Sequence, residues 1–529
     1  MQPFDSAGEF QPIGRGGQLR RLAVRSAGVT VAFQALAFGV QMASTAVLAR
    51  LLRPSDFGLV TMVTTFSLLF VSFGINGYSE AIMQRDRLSH FLASNLFWIN
   101  IGAGVFLTLV FAASGSLLAR FYGDARIVAV SVGMSATILV ASTSVVPLAL
   151  LKRAMCFTAV SVNEIVARMV SVAVGIVGAL SGWGYWALVA MAIAQPVSQS
   201  VGGWILCRWT PAAPRRVEGT GSIVRFAVSV YGRFTLNHFA RNMDNLLVGW
   251  QFGPAALGFY KKAYDLFVLP ANQLLSPVSD VTLSTLSRLD RYSAQYRRYF
   301  LNGIGLLAFA GMAASGIMTL VGKDLIRFIL GPGWEEAGRI FMFFGPGIGM
   351  MLICGTAGFI HLSIGRADRW LRWVVVEFTV TGLLFLLGLR WGPVGIAVAW
   401  TASFWILTLP ALWYAGKPVG FGIGPMISVI WRYAVGALIA GIAAAPVLAR
   451  VPTLVGAPGA GGALERIATA SCLFGVLYLA AVVAMHGGWE PLHQITRILA
   501  DVVPWKKSPP PAKMAEDDPM VAPSLQGEG

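Results

Sequence analysis

Runs of roughly twenty apolar residues follow one another along most of this 529-residue chain, and no other feature narrows its fold as far. Wound as a helix at about 1.5 Å per residue, such a run spans the ~30 Å hydrocarbon core of a bilayer. Hydrophobic residues make up 56% of the sequence and charged residues 12%, with a mean hydropathy of +0.68, far from the mixture of a soluble domain. The runs are continuous instead of alternating, so they read as helices, not barrel strands, the two structures that satisfy every backbone group in lipid. About fourteen spans result, each of roughly the membrane's thickness. They begin near Ser26, Gly58, Phe91, Ile127, Val162, Tyr185, Phe226, Gly258, Leu301, Ile340, Leu371, Val394, Met426 and Ile467.

The formal charge of +16 is explained by its placement. Basic residues crowd into alternate connections, among them Arg20, Arg21 and Arg25, Lys152 and Arg153, Arg215 and Arg216, Arg297 and Arg298, and Arg366, Arg369 and Arg372. The other set, with Arg50, Arg53, Arg120, Arg126, Lys323 and Arg327, is outnumbered by more than two to one. The positive-inside rule then puts both termini in the cytoplasm, and no nucleic-acid partner is needed to account for the charge. Cys156, Cys207, Cys354 and Cys472 fall within or at the ends of spans and read as packing residues, not as a disulfide framework or a metal site.

A turn between spans occurs twice. Leu52-Arg53-Pro54-Ser55-Asp56-Phe57-Gly58-Leu59 aligns with Phe252-Gly253-Pro254-Ala255-Ala256-Leu257-Gly258-Phe259. Gly182-Trp183-Gly184-Tyr185-Trp186-Ala187 likewise matches Arg390-Trp391-Gly392-Pro393-Val394-Gly395, in the same order along the chain. Two ordered correspondences imply a duplicated bundle, whose halves could open alternately to either side of a membrane. The expected organisation is all-α and polytopic. It comprises a cytoplasmic N-terminal segment (1–25), a first six-helix lobe (26–207), a basic linker (208–225), a second six-helix lobe (226–416), two appended helices (417–487) and a cytoplasmic tail (488–529). The 282–300 segment, alternating Leu with Arg, reads either as a helix on the cytoplasmic surface or as a basic loop.

Ionisable groups at membrane depth are costly, so they mark a wet cavity, a pair or a snorkelling end. The spans near Phe226 and Gly258 hold the densest set: Arg233, Asn237, His238, Arg241, Asn242, Asp244 and Asn245, then Lys261, Lys262 and Asp265. Spacings of three and four put Asn237, Arg241, Asp244 and Asn245 along one face. That stripe admits two readings: a cavity wall in which Arg241 meets an anion and Asp244 balances it, or an Arg241–Asp244 pair that locks packing. Lys261 and Lys262 suit either the cavity or interfacial anchoring. Gln41 and Asn76 could meet sugar hydroxyls or bond between helices. Glu164 and Arg168 are spaced as an i,i+4 ion pair. Asp244 and Glu377 are the candidates for a coupling proton or sodium ion, Glu377 with the alternative of bonding to nearby amides. No P-loop, HExxH or Ser/His/Asp grouping occurs, so no cofactor and no enzymatic chemistry are expected.

The run from Arg241 to Gly249 followed by Phe252 to Tyr260, together with Leu48 to Gly58, resembles the Wzx-type polysaccharide flippases, especially the colanic-acid-exporter-like branch. The likeness covers roughly the first 420 residues. It implies membership of the multidrug/oligosaccharidyl-lipid/polysaccharide exporter superfamily. Such proteins move undecaprenyl-pyrophosphate-linked oligosaccharide between leaflets of the bacterial inner membrane, beside a polysaccharide polymerase and export machinery. The rivals are a drug/cation antiporter, which wants more acidic groups in the cavity, and a lipid II flippase of the MurJ type. A membrane glycan polymerase would need a large outside loop, and the outside loops here are short.

Overall fold

The computed structural model describes residues 3–5, 8–10, 17–84, 88–215, 220–450, 459–489 and 493. Within them the chain is helical, and no strand exceeds an isolated bridge. The helices are α1 (Gly17–Leu51), α2 (Pro54–Gln84), α3 (His90–Tyr122), α4 (Arg126–Arg153), α5 (Phe157–Leu180), α6 (Tyr185–Cys207), α7 (Thr220–Leu286) and α8 (Ala294–Leu330). There follow the short α9 (Glu335–Phe344), α10 (Ile348–Gly355) and α11 (Ala357–Ser363), then α12 (Ala367–Gly388), α13 (Gly392–Gly416), α14 (Ile423–Arg450) and α15 (Gly459–His486). Every expected span start falls on a helix, with Phe226 and Gly258 sharing α7. Among the described residues, nine stretches are long and apolar enough to cross a membrane, α12 and α13 forming one of them and α9 to α11 another. The other helices, α1, α6 and α7, fall outside the nine, so this measure stops short of the fourteen expected.

Both turns interrupt the helical path just before their proline, Gly253 alone doing so with a positive φ. Pro54 opens α2 in the position where its missing N–H costs nothing, and the Asp56 carboxylate reaches back to accept from the Arg53 N–H at 3.0 Å. In α7 the same place is a break at Gly253 (φ 78°, ψ −176°), followed by Pro254, so α7 consists of two helical parts, 220–252 and 254–286. The second pair agrees: Gly184 (φ 57°, ψ −132°) precedes α6 and Gly392 (φ 70°, ψ −159°) opens α13. Both lie in the left-handed region that favours glycine.

Helices α1 to α6 pack largely on one another, through α1–α5, α2–α4, α3–α4, α4–α6 and α5–α6 contacts. The later helices do the same through α8–α9, α8–α10, α10–α13 and α12–α13, with α14 and α15 laid against α8 and each other. Arg466 of α15 donates to Asp324 of α8 at 2.8 Å, and the Tyr478 hydroxyl donates to the Phe309 carbonyl at 2.9 Å.

The two groups meet most extensively along α2 and α7, and the repeated turn is where they touch. A Cβ placed on Gly58 would overlap the Pro254 carbonyl oxygen, and one on Gly258 would overlap that of Pro54. Each copy of the motif thus uses its glycine to admit the other copy's proline carbonyl, the backbone-to-backbone approach that small residues permit in membranes. Around this seam the Trp334 indole N–H donates to the Ala49 carbonyl (2.8 Å) and the Arg50 guanidinium to the Phe328 carbonyl (2.9 Å). Phe57 and Phe259 set their rings against Trp334 at 5.5 and 5.8 Å.

Residues 208–215 lie along α3. The Trp98 indole N–H donates to the Ala212 carbonyl (2.9 Å), the Ala212 N–H to Ser94 Oγ (3.0 Å), and the His90 ring bonds the Thr210 carbonyl (3.1 Å). Asn95 accepts from the Arg215 N–H at 3.0 Å and donates back to its carbonyl. Replacing Asn95, only 6% exposed, with Ala is expected to cost about 1–3 kcal/mol by stripping both bonds from a buried strap. An unchanged Tm would show that the strap contributes nothing to stability. Helix α7 begins at Thr220, inside the stretch read as linker.

The surface helix considered for 282–300 does not form. Those residues are the end of α7, a turn and the start of α8. Asp290 makes the turn, accepting from the Tyr292 N–H at its Oδ1 (3.2 Å), and Ser293 Oγ caps α8 by accepting from the Tyr296 N–H at 3.1 Å.

Candidate functional site

The densest polar group sits where both parts of α7 meet α12 and α13. Asp244 is completely buried, and its Oδ2 accepts from the Tyr260 hydroxyl (2.8 Å) and from the Trp400 indole N–H (3.0 Å). One carboxylate therefore joins the first part of α7 to the second and to α13. Aromatic rings enclose it: Tyr264 lies 6.3 Å from Tyr260 and 5.9 Å from Trp400, and Phe385 lies 5.2 Å from Trp400. Neither Tyr260 nor Trp400 stood out from the sequence. Tyr260 follows directly on the repeated turn, whereas Trp400, 156 residues from Asp244, carried no local signal.

Arg241, one turn earlier, is exposed, and among the described residues it forms no ion pair with Asp244. The stripe thus divides, with Asp244 buried in the core and Arg241 exposed. Asn242 donates to the His238 carbonyl (2.9 Å), Asn245 donates to Asn242 Oδ1 (3.2 Å), and the His238 ring bonds the Thr65 carbonyl of α2 at 2.9 Å. The side chains of Asn76, Arg233 and Asn237 lie outside the described residues.

On the second part of α7, Lys261 donates to Asp265 at 2.7 Å. Both are half-buried, with 29% of the Lys261 side chain and 44% of that of Asp265 accessible. Lys262 turns the other way, its ammonium 4.4 Å from the centre of the Phe57 ring on α2. Among the α1–α6 helices, Gln41 accepts from Arg168 at 2.8 Å, and Arg168 lies 3.9 Å from Glu164. Gln41 thus anchors α1 to α5 and holds a second intramembrane arginine.

This arrangement places cations and amides beside a helix seam, with no group of three or more His, Cys, Asp or Glu that could hold a metal ion among the described residues. The fold matches that of a lipid II flippase, MurJ, in an inward closed conformation, with a TM-score of 0.69 at 12% identity over 88% of this chain and 99% of that one. An inward-facing multidrug resistance transporter of the MATE family, within the MOP superfamily, matches with a TM-score of 0.57 at 12% identity, over 72% and 94%. The fold is therefore the one these two membrane proteins share. Residues 47–339, more than half of the chain, match the polysaccharide biosynthesis protein family, and the protein belongs to that family. Its curated relatives include the teichuronic acid biosynthesis protein TuaB of Bacillus subtilis, 25% identical over 61% of this chain and 67% of that protein. The succinoglycan biosynthesis transport protein ExoT of Rhizobium meliloti is 20% identical over 73% and 78%. The lipopolysaccharide biosynthesis protein WzxC of Escherichia coli is 20% identical over 72% and 78%.

Proposed function

We propose that this protein is a flippase that carries undecaprenyl-pyrophosphate-linked oligosaccharide from the inner to the outer leaflet of a bacterial inner membrane, by alternating access of two six-helix lobes. The observation that carries the reading is the ion pair of Lys261 and Asp265 on the second part of α7, whose side chains stay 29% and 44% accessible. Charge retained there suits a hydrophilic anionic cargo and is expensive otherwise. Membership of a polysaccharide biosynthesis family supports the sugar part of that cargo.

In this scheme Arg241 and Lys261 meet the pyrophosphate, while Asn242, Asn245, Asn237, Asn76 and Arg233 complete a polar wall for the sugars. The polyprenyl tail stays in lipid. Gln41 acts by holding Arg168. Asp244 and Glu377 are the acidic groups proposed for ion coupling. Both termini face the cytoplasm, and the polymerase that extends the glycan works on the opposite side. Leaflet-selective labelling of lipid-linked oligosaccharide in cells lacking the gene is expected to show accumulation on the cytoplasmic side. Unchanged labelling with intact surface glycan would rule the flippase reading out. Arg241→Ala is expected to lower export about tenfold or more, the loss of one charge-assisted contact of ~1.5–3 kcal/mol. Wild-type export by that variant would remove Arg241 from the cargo path.

A further inference from the structure

Two adjacent lysines on the second part of α7 have unlike surroundings. Lys261 has its carboxylate, Asp265, one turn ahead. Lys262 has none: among the described residues no acid lies within ion-pair distance of it, and the acid nearest in sequence is already bonded to Lys261. What its ammonium does meet is the face of Phe57. That ring belongs to α2, on the opposite side of the seam, and is the residue next to Gly58, which admits the Pro254 carbonyl. Lys262 itself is one turn beyond Gly258. A half-buried ammonium with no ion pair among the described residues is therefore held in the seam by a cation–π contact made from one group of helices to the other.

A ring face satisfies an ammonium only in part, and a phosphate oxygen satisfies it better, through a charge-assisted hydrogen bond. We propose that Lys262 is the residue through which an anionic cargo opens the seam: its ammonium passes from Phe57 to a phosphate oxygen of the cargo, and α2 is thereby unpinned from α7. This rests on the flippase reading for the nature of the cargo. A ligand moves a conformational equilibrium only by binding one state more tightly than the other. Here the difference is built in, because in the closed seam Lys262 is engaged with Phe57 and in the open seam it is free for the anion. A phosphate diester or pyrophosphate meets the requirement, and the neutral prenol of the same length does not.

The test uses full-length protein in lipid nanodiscs, with the four native cysteines replaced and spin labels introduced at Arg53→Cys and Gln251→Cys, exposed positions flanking the seam. Undecaprenyl pyrophosphate is expected to lengthen the distance between the labels, free pyrophosphate to do so only at far higher concentration, and undecaprenol to leave it unchanged. Lys262→Gln is expected to weaken undecaprenyl pyrophosphate binding about tenfold or more and to abolish the lengthening, while Lys262→Arg preserves both. Phe57→Leu, which leaves the lysine intact, is expected to lengthen the distance with no ligand present. If Lys262→Gln binds and opens as the wild type does, or if Phe57→Leu stays closed, the trigger is overturned while the cargo assignment stands. If the wild type binds neither pyrophosphate compound, the cargo assignment falls and takes the trigger with it.

Discussion

Gly58→Ala and Gly258→Ala, made singly, are each expected to force the seam between α2 and α7 apart and to lower export severely. In both cases the added methyl occupies the place of a proline carbonyl oxygen from the opposite copy of the motif, and backbone cannot yield as a flexible side chain can. Overpacking of this kind costs about 1–3 kcal/mol, enough to repopulate a two-state transporter. Since each glycine admits the other copy's proline, the two variants report on one contact. The double variant is therefore expected to fall well short of the sum of the singles, the mark of coupled neighbours. Thiol labelling of a cysteine placed at Gln251 measures the opening, and Tm measures the cost. Singles that label, melt and export like wild type would mean that this contact does not form in the membrane.

Asp244→Ala is expected to have the second large effect, by a different route. Both donors on its Oδ2, the Tyr260 hydroxyl and the Trp400 N–H, would be left buried and unpaired. Each orphaned donor costs about 1–3 kcal/mol, so the variant should lose ~2–6 kcal/mol and express poorly. Asp244→Asn separates structure from transport, because its amide oxygen can still accept from both donors. If Asp244 only braces α7 against α13, the Asn variant should keep its Tm to within a few degrees and keep its export. If Asp244 also carries a coupling ion, the Asn variant should keep its Tm and lose export. An Ala variant as stable as wild type would contradict the buried bonding described above.

The repeat was legible because proline and glycine punctuate backbone geometry locally. A Pro at a helix start and a Gly four residues later can be read without knowing what lies opposite, and so can the glycines before Tyr185 and Pro393. What could not be read was that the two copies touch, since close approach depends on where distant helices end up. The polar stripe divides for a related reason. Spacing correctly puts Arg241 and Asp244 on neighbouring parts of one helix surface, but partners on other helices decide which way each turns. Tyr260 and Trp400 draw Asp244 inward, and nothing in the spacing announces a tryptophan on α13. The surface helix considered for 282–300 gave way to side-chain chemistry at two residues: Asp290 and Ser293 compete for backbone groups and set a turn where leucine periodicity suggested continuity.

The segment bonded along α3 sets a leash on the whole machine. Because Asn95 holds Arg215, the chain is fixed against α3 to within five residues of Thr220, where α7 begins. Fully extended, that length reaches at most ~18 Å. However far the lobes swing apart on the cargo's way in, the start of α7 cannot stray beyond that radius from α3, unless the tether first peels off its helix.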